Sequence, residues 1–190
     1  MKKLSYAIYW LLQCTWGLIM TFIGAVAALG AIILGYKPQK FGPNIYFKIG
    51  HYWGGVSFGP FFFCCEESDE STLSHESGHS IQNIILGPLF PFLVAVPSAT
   101  RYWLRELAPD RVQKSLFNLY LLLSTLIFTT LCACVTGLLF HWHYVTIFFE
   151  LLRMYFLCLS IWLTSIEIPR YNCGEVDYYS IWFENQANEF

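Results

Sequence analysis

Two histidines and a glutamate within residues 75–79 are the residues of this sequence best suited to metal chemistry. The run reads His-Glu-Ser-Gly-His. On a helix, His75 and His79 lie at i and i+4, so both imidazoles project from one face and can bind one ion at about 2.0–2.1 Å. Glu76 follows the first histidine, where its carboxylate can take a proton from water that zinc has made more acidic. The spacing predicts a zinc site with His75 and His79 as ligands and Glu76 as the catalytic base.

The third ligand has to come from elsewhere in the chain, because a catalytic zinc usually has three protein ligands and one open position. We expect this ligand to be Glu184, on a stretch that reads as an amphipathic C-terminal helix over 178–190. Asn188, one turn further on, could orient a ligand imidazole by a hydrogen bond, and Gln82 could orient a neighbouring group. Glu175 and Asp177 remain alternative third ligands.

The segments before the motif are predicted to shape its surroundings. Acidic and hydroxyl residues over 66–71 suit the N-terminus of a motif helix over 71–86. Within 44–65, two short strands, 44–49 and 54–63, are expected to join around 50–53. The aromatic strand would present an edge to an extended peptide. Gly78 is costly in a helix, and we expect its missing side chain to admit a strand or a substrate backbone.

The composition indicates a membrane protein. Of the 190 residues, 56% are hydrophobic and 13% charged, against about 25% charged in an ordinary soluble domain. Residues 7–36, 116–140 and 144–168 each exceed the roughly 20 apolar residues that span a bilayer. The last two should form a transmembrane helical hairpin, while prolines make 87–99 a re-entrant or surface segment. We therefore predict a mainly α membrane protein in one membrane-embedded domain over 1–190, with a small β-hairpin or sheet and a zincin-like motif helix.

Charge asymmetry predicts the orientation of this chain in the membrane. His79 and Glu184 can share an ion only if the chain crosses the bilayer an even number of times between them, which holds if 87–99 does not cross. The opposite face then has at most Lys2 and Lys3. The basic residues on the side of the site are Lys37, Lys40, Lys48, Arg101, Arg105, Arg111, Lys114 and Arg170. The positive-inside rule predicts a multi-pass protein of the cell (inner) membrane with the site at its cytoplasmic face.

Other polar residues have simpler explanations. Glu150 and Arg153, at i and i+3 in a predicted span, are expected to pair with each other rather than to act in catalysis. His51 is expected to lie in a loop, and His141 and His143 at the tip of the hairpin. Seven cysteines are an odd number and favour free, buried thiols. The net charge of −2, with no long basic run, gives no indication of nucleic-acid binding.

Several stretches of the sequence resemble known zinc metallopeptidases. The motif looks like that of the gluzincin clan, which combines His-Glu-x-x-His with a glutamate on a later helix. The sequence is more closely similar to a family of small bacterial multi-pass membrane proteins over residues 54–59, 72–82, 86–89, 96–98 and 178–188. The resemblance implies peptide-bond hydrolysis with Zn²⁺, and it implies ligands at His75, His79 and Glu184 with a base at Glu76. Ser77 stands where a bulkier residue is common, and Asn188 replaces the aspartate of many gluzincins.

Together these features predict a membrane-embedded zinc-dependent metallopeptidase that acts on peptides or membrane proteins and has the lipid bilayer as a partner. Two alternatives stay open. One is a non-catalytic membrane protein with a structural or sensing metal site, for which Glu175 or Asp177 would supply the fourth ligand of a closed site. The other is a metal-free membrane protein with an interaction or immunity role.

Overall fold

The computed structural model describes residues 2–107, 111–139, 143–174 and 178–190, and it is mainly helical with one small sheet. The helices are α1 (Lys2–Thr15), α2 (Leu18–Ile33), α3 (Glu70–Leu86), α4 (Val96–Leu107), α5 (Arg111–Leu139), α6 (His143–Trp162), α7 (Ile168–Asn172) and α8 (Trp182–Ala187). The strands are β1 (Gln39–Phe41), β2 (Asn44–Lys48), β3 (Gly55–Phe58) and β4 (Phe61–Cys64). Short 3₁₀ turns cover Gly87–Leu89 and Tyr178–Ser180, and π turns cover Pro91–Ala95 and Leu163–Glu167.

The sheet has the order β1-β2-β4-β3, in which β2 and β4 are parallel and the outer pairs are antiparallel. The predicted strand 54–63 is in fact a hairpin of β3 and β4 around Gly59, whose φ of 63° suits glycine. β2 pairs with β4 rather than with β3, so the two predicted strands are not simple neighbours. The reason is aromatic packing, since Phe62 and Phe63 of β4 stack on Tyr46 and Phe47 of β2.

The contacts divide the chain into two compact units, and the single membrane-embedded domain over 1–190 stays a prediction. The first unit comprises Met1–Val96 and Tyr178–Phe190, and the second comprises Pro97–Asp177. The first contains the sheet, α1, α2, α3 and α8, and therefore all of the motif and the predicted third ligand. The second is built around α5 and α6.

The second unit contains both single helices that are long and apolar enough to cross a membrane within the described parts of the chain. They are Gln113–Leu138 and Tyr144–Arg170. They pack through a polar contact, in which the Asn118 amide donates to the Ser160 carbonyl oxygen at 3.1 Å and accepts from the Ser160 hydroxyl at 3.0 Å. The predicted pair of Glu150 and Arg153 is formed.

A buried ion pair also lies within the second unit. Arg101, counted above as one of the basic residues beside the membrane, is fully buried, with its Nε 2.6 Å from the carboxylate of Glu167. The Arg105 guanidinium lies 3.2 Å from the same carboxylate oxygen.

The first predicted membrane stretch, 7–36, is not one straight helix. α1 and α2 meet at 98°, with the break at residues 16–17. Buried polar side chains stabilise this break, because the Asn83 amide donates to the Gly17 carbonyl oxygen at 3.2 Å and to Gln13 Oε1 at 2.6 Å. A Cβ on Gly17 would lie 2.4 Å from the same amide. The segment after α3 is likewise broken, at Phe90, in the manner of a broken span or a re-entrant loop.

All seven cysteines are free, as predicted, but most of them are not buried. Only Cys64 and Cys65 are buried, in and just after β4. Cys14, Cys134 and Cys158 are exposed on the outer faces of their helices. Outward-facing apolar residues surround them there, so an apolar run did not imply burial within the protein.

Candidate metal centre

The motif lies on α3, whose N-terminus is capped as the sequence predicted. Asp69 is the N-cap, and its carboxylate accepts from the Thr72 amide at 3.0 Å. This interaction also lowers the pKa of Asp69. The side chains that α3 buries are mostly polar, and its buried residues are His75, Glu76, Gly78, His79, Ser80, Gln82 and Asn83. A helix that buries its polar face needs partners for those groups, and α8 and the sheet supply them.

Gly78 allows α8 to lie directly against the motif. A Cβ at this position would be 2.0 Å from the carbonyl oxygen of Ala187. The expectation that the missing side chain would admit a strand or a substrate was therefore wrong, because the backbone of α8 occupies that space. This close contact places Glu184, three residues before Ala187 on the same helix, over the two histidines.

The three predicted ligands converge. The Nε2 atoms of His75 and His79 are 3.1 Å apart, and they lie 3.2 and 3.3 Å from Oε2 of Glu184. Ligand atoms at about 2.0–2.1 Å from a tetrahedral zinc ion are about 3.3 Å from one another. Within the described chain, these three residues form the group of His, Cys, Asp and Glu side chains that could hold a metal ion. Their spacing fits one face of a tetrahedral site.

Hydrogen bonds at the far side of each imidazole determine which nitrogen faces this group. Gln82 donates from Nε2 to the Phe183 carbonyl oxygen at 2.7 Å, so its Oε1 points at Nδ1 of His79, 2.8 Å away. His79 therefore donates from Nδ1, and its Nε2 lone pair faces Glu184 when the ring is neutral. Asn188 Oδ1 takes the same position against Nδ1 of His75, at 2.8 Å. Two lone pairs and a carboxylate oxygen then face one point, which is an arrangement that a cation satisfies.

The charges around His79 act in the same direction. Burial lowers the pKa of His79, but the hydrogen bond to Glu184 and the charges of Glu76 and Glu184 outweigh it, so the pKa is raised. Without a cation, a second proton on the ring would face the carboxylate. The site therefore attracts positive charge, and a metal ion would compete with that proton.

Glu76 lies beside the ligand group without belonging to it. Its side chain is buried, and burial raises the pKa of its carboxyl group. Oε2 accepts a hydrogen bond from the hydroxyl of Ser57 on β3 at 2.6 Å. A Cβ on Gly55, two residues earlier on the same strand, would lie 2.4 Å from Oε1. This carboxylate is held next to the three predicted ligands without being one of them, and a carboxylate so placed can accept a proton.

The centre is recessed, and the strand that contacts Glu76 is an edge strand of the sheet. The side chains of His75, His79 and Glu184 are 10%, 9% and 0% exposed. β3 is an edge strand, and no described strand pairs with its outer side. The ring of Tyr179 stands perpendicular to that of His75, with centroids 5.3 Å apart.

The other candidate residues lie elsewhere. Glu175 and Asp177, the alternative ligands, are outside the described residues, as are His141 and the side chain of His143. His51 lies in a loop, as predicted, with Nδ1 2.7 Å from the carboxylate of Glu67.

Three residues at the centre were not predicted, namely Gly55, Ser57 and Tyr179. The glycines at the two ends of the segment 54–59 could have indicated Gly55 and Ser57. Glycine inside a strand often marks a close approach by another group.

The fold and the site together define a mainly helical protein, compatible with a membrane, that carries a candidate His-His-Glu metal group. No protein-family model, curated protein or solved structure matches this chain. The resemblance to gluzincins and to small bacterial membrane proteins thus stays a prediction.

Proposed function

We propose that this protein is a membrane-embedded zinc metallopeptidase. The observation that carries the proposal is the convergence of His75, His79 and Glu184 at mutual distances of 3.1–3.3 Å, with the carboxylate of Glu76 beside them. Three ligands leave one position open, which is the arrangement of a catalytic rather than a structural zinc site.

Each residue has a separate task in this proposal. His75, His79 and Glu184 would hold the ion, and a bound zinc ion supplies Lewis acidity to water and to a substrate carbonyl. Glu76 accepts the proton of the attacking water and passes it to the leaving amine. The free edge of β3 binds an extended peptide or a segment of a membrane protein by main-chain hydrogen bonds.

Metal content tests the ligand set. The protein is purified in detergent and zinc per chain is measured for the wild type, His75→Ala and Glu184→Ala. We expect about one zinc per chain in the wild type and loss of zinc in both variants. Glu189→Ala is a matched control, because Glu189 is an exposed carboxylate on the same C-terminal segment. Full zinc content in Glu184→Ala would exclude Glu184 as a ligand, and a wild type without zinc would exclude the proposal.

Catalysis needs a separate variant. Glu76→Gln keeps the shape of the side chain but removes the base, so this variant should retain zinc and no longer cleave peptides. Cleavage is measured by mass spectrometry on a peptide library. A wild-type protein that retains zinc but cleaves no peptide would favour the structural or sensing alternative. The near-complete burial of the predicted ligands is the observation that supports this alternative. The same outcome for wild type and Glu76→Gln, with cleavage in both, would exclude Glu76 as the base.

We also propose that the chain is multi-pass and that the centre lies at the cytoplasmic face. The support is the sequence pattern, in which most of the basic residues fall in segments predicted to lie on the side of the motif, although Arg101 among them is buried against Glu167. Single cysteines at positions 40 and 189, in a variant without native cysteines, should react with a membrane-impermeant maleimide only after the cytoplasmic side is opened. Labelling of either position in intact cells would contradict this orientation.

A further inference from the structure

The contact between β3 and the carboxylate of Glu76 is specific enough to assign a role to a residue outside the motif. Gly55 and Ser57 lie two positions apart on β3, so they share one face of the strand. That face is turned toward α3, where Oε1 of Glu76 lies over Gly55 and Oε2 lies 2.6 Å from the Ser57 hydroxyl. The carboxylate therefore lies flat along two residues of an edge strand.

We propose that Ser57 is the positioning residue for Glu76, and that through it the edge strand β3 sets where the base lies. This inference rests on the proposed function, because it describes how the base of the same centre is held. The Ser57 side chain makes no contact with a predicted ligand in the described hydrogen bonds, so its role is exerted through Glu76.

The chemistry of the contact supports this assignment. The Ser57 hydroxyl has one proton to donate. Its oxygen lies 2.6 Å from Oε2 of Glu76 and 2.7 Å from the backbone oxygen of Glu76. Both acceptors belong to Glu76, so either hydrogen bond ties β3 to this one residue. A hydroxyl donating to a carboxylate oxygen leaves the other lone pairs of the carboxylate available to accept a proton. Ser57 is buried, which protects the contact from exchange with water.

The arrangement also links the base to the surface on which a substrate strand would pair. β3 is one of the two edge strands of the sheet, and Ser57 belongs to that strand rather than to the internal strand β4. A peptide paired along β3 would restrict the motion of the strand, and it would therefore restrict the position of the Glu76 carboxylate as well. Binding and proton transfer would share one structural element.

A pair of variants with the same side-chain shape isolates the hydroxyl. Ser57→Thr keeps the donor, whereas Ser57→Val has a side chain of the same shape without it. Ser80→Ala is the control, because the Ser80 hydroxyl is also buried and lies 3.3 Å from the backbone oxygen of Glu76, but its described hydrogen bonds do not include the Glu76 carboxylate. The readouts are zinc per chain and the binding of acetohydroxamate to the Co²⁺-loaded protein, followed by its visible spectrum. Acetohydroxamate binds a metal as an anion, and its proton must pass to a nearby base.

We expect all three variants to retain the metal. Ser57→Val should bind acetohydroxamate about 10- to 100-fold more weakly than the wild type, the range for losing a hydrogen bond to a charged group. Ser57→Thr and Ser80→Ala should bind acetohydroxamate with an affinity close to that of the wild type. Glu76→Gln, which lacks the base, gives the lowest affinity expected. Equal hydroxamate affinity in the Thr and Val variants would overturn the role of Ser57, as would loss of metal from Ser57→Val alone. A wild-type protein that binds neither zinc nor cobalt would instead overturn the proposed function, and this inference with it.

Discussion

Gly78 offers a direct test of how α8 is held against the motif helix. Two effects of Gly78→Ala oppose each other. Alanine is favoured over glycine within a helix by about 1 kcal/mol, so intrinsic helix propensity alone predicts a more stable protein. Packing predicts the reverse, because the new Cβ would lie 2.0 Å from the Ala187 carbonyl oxygen, 2.7 Å from its carbonyl carbon and 2.8 Å from its Cα.

The distances determine which effect wins. A carbon atom normally lies no closer than about 3.3 Å to a carbonyl oxygen, so α3 and α8 would have to separate by about 1.3 Å. The obstructing atoms are backbone, which cannot move aside as the end of a flexible side chain can. Overpacking of this kind costs about 1–3 kcal/mol, and a value near the upper end leaves a net loss of about 1–2 kcal/mol after the gain in helix propensity.

The effect on the metal should be larger than the effect on stability. Glu184 is on α8, and a shift of about 1.3 Å would move its carboxylate away from the two imidazoles by a distance that a zinc ion does not tolerate. We expect zinc affinity to fall by at least about 10- to 100-fold, the loss usual when the support of a ligand is removed. Competition with a coloured zinc chelator measures the affinity, and denaturant unfolding in detergent measures the stability.

Gly30→Ala is the matched control. Gly30 is also a helical glycine of the first unit, but a Cβ there would meet nothing within 4 Å. This variant should therefore be more stable by about 0.5–1 kcal/mol, with unchanged zinc affinity. Wild-type affinity in Gly78→Ala would refute the close contact between α3 and α8, and an equal loss in Gly30→Ala would show that the effect is not local.

Three further predictions follow from single contacts. Gln82→Ala should lower zinc affinity about 10- to 100-fold, because Gln82 orients His79 and also connects α3 to α8. Zinc affinity is measured by competition with a chelator, and Gln186→Ala is the control that should change this affinity little. Asp69→Ala should lower the free energy of unfolding by about 1 kcal/mol through loss of the helix cap without altering zinc content, and an unchanged unfolding midpoint would contradict the cap. The hydrogen bond from His51 lowers the pKa of Glu67 from 4.5 to about 2, so the stability that this pair contributes is present above pH 4.5 and lost as the pH falls toward 2. In His51→Ala, a carboxyl NMR titration should show the pKa of Glu67 rising toward its ordinary value, and a pKa that stays near 2 would exclude His51 as the main cause.

Local features of the site could be predicted from neighbouring residues. The i, i+4 spacing of His75 and His79 places them on one face of any helix, and the helix is observed over Glu70–Leu86. The acidic loop before it does cap that helix. The two strongest candidates for membrane spans, within 116–140 and 144–168, are also observed as long apolar helices. In each case a single periodicity or a single cap carries the information.

Features that depend on distant partners could be predicted only in part. The 7–36 stretch is mostly apolar, yet α1 and α2 meet at 98°, and Asn83 from another helix bonds at the break. The strand order could not be read from the segment 44–65, since alternation along a strand does not say which strand it pairs with. The contact between Ser57 and Glu76 could not be predicted, because only the packing of α3 on β3 brings the two residues together.

By itself, the sequence determined that two histidines and a glutamate share one short helical motif, and that much of the chain is too apolar for an ordinary soluble domain. Helix geometry and composition are local properties, so no tertiary contact was needed for either. The tertiary structure decided that α8 lies against Gly78 and that Glu184 meets the two imidazoles. That meeting joins residues more than 100 positions apart, and a missing Cβ together with two side-chain amides holds it in place.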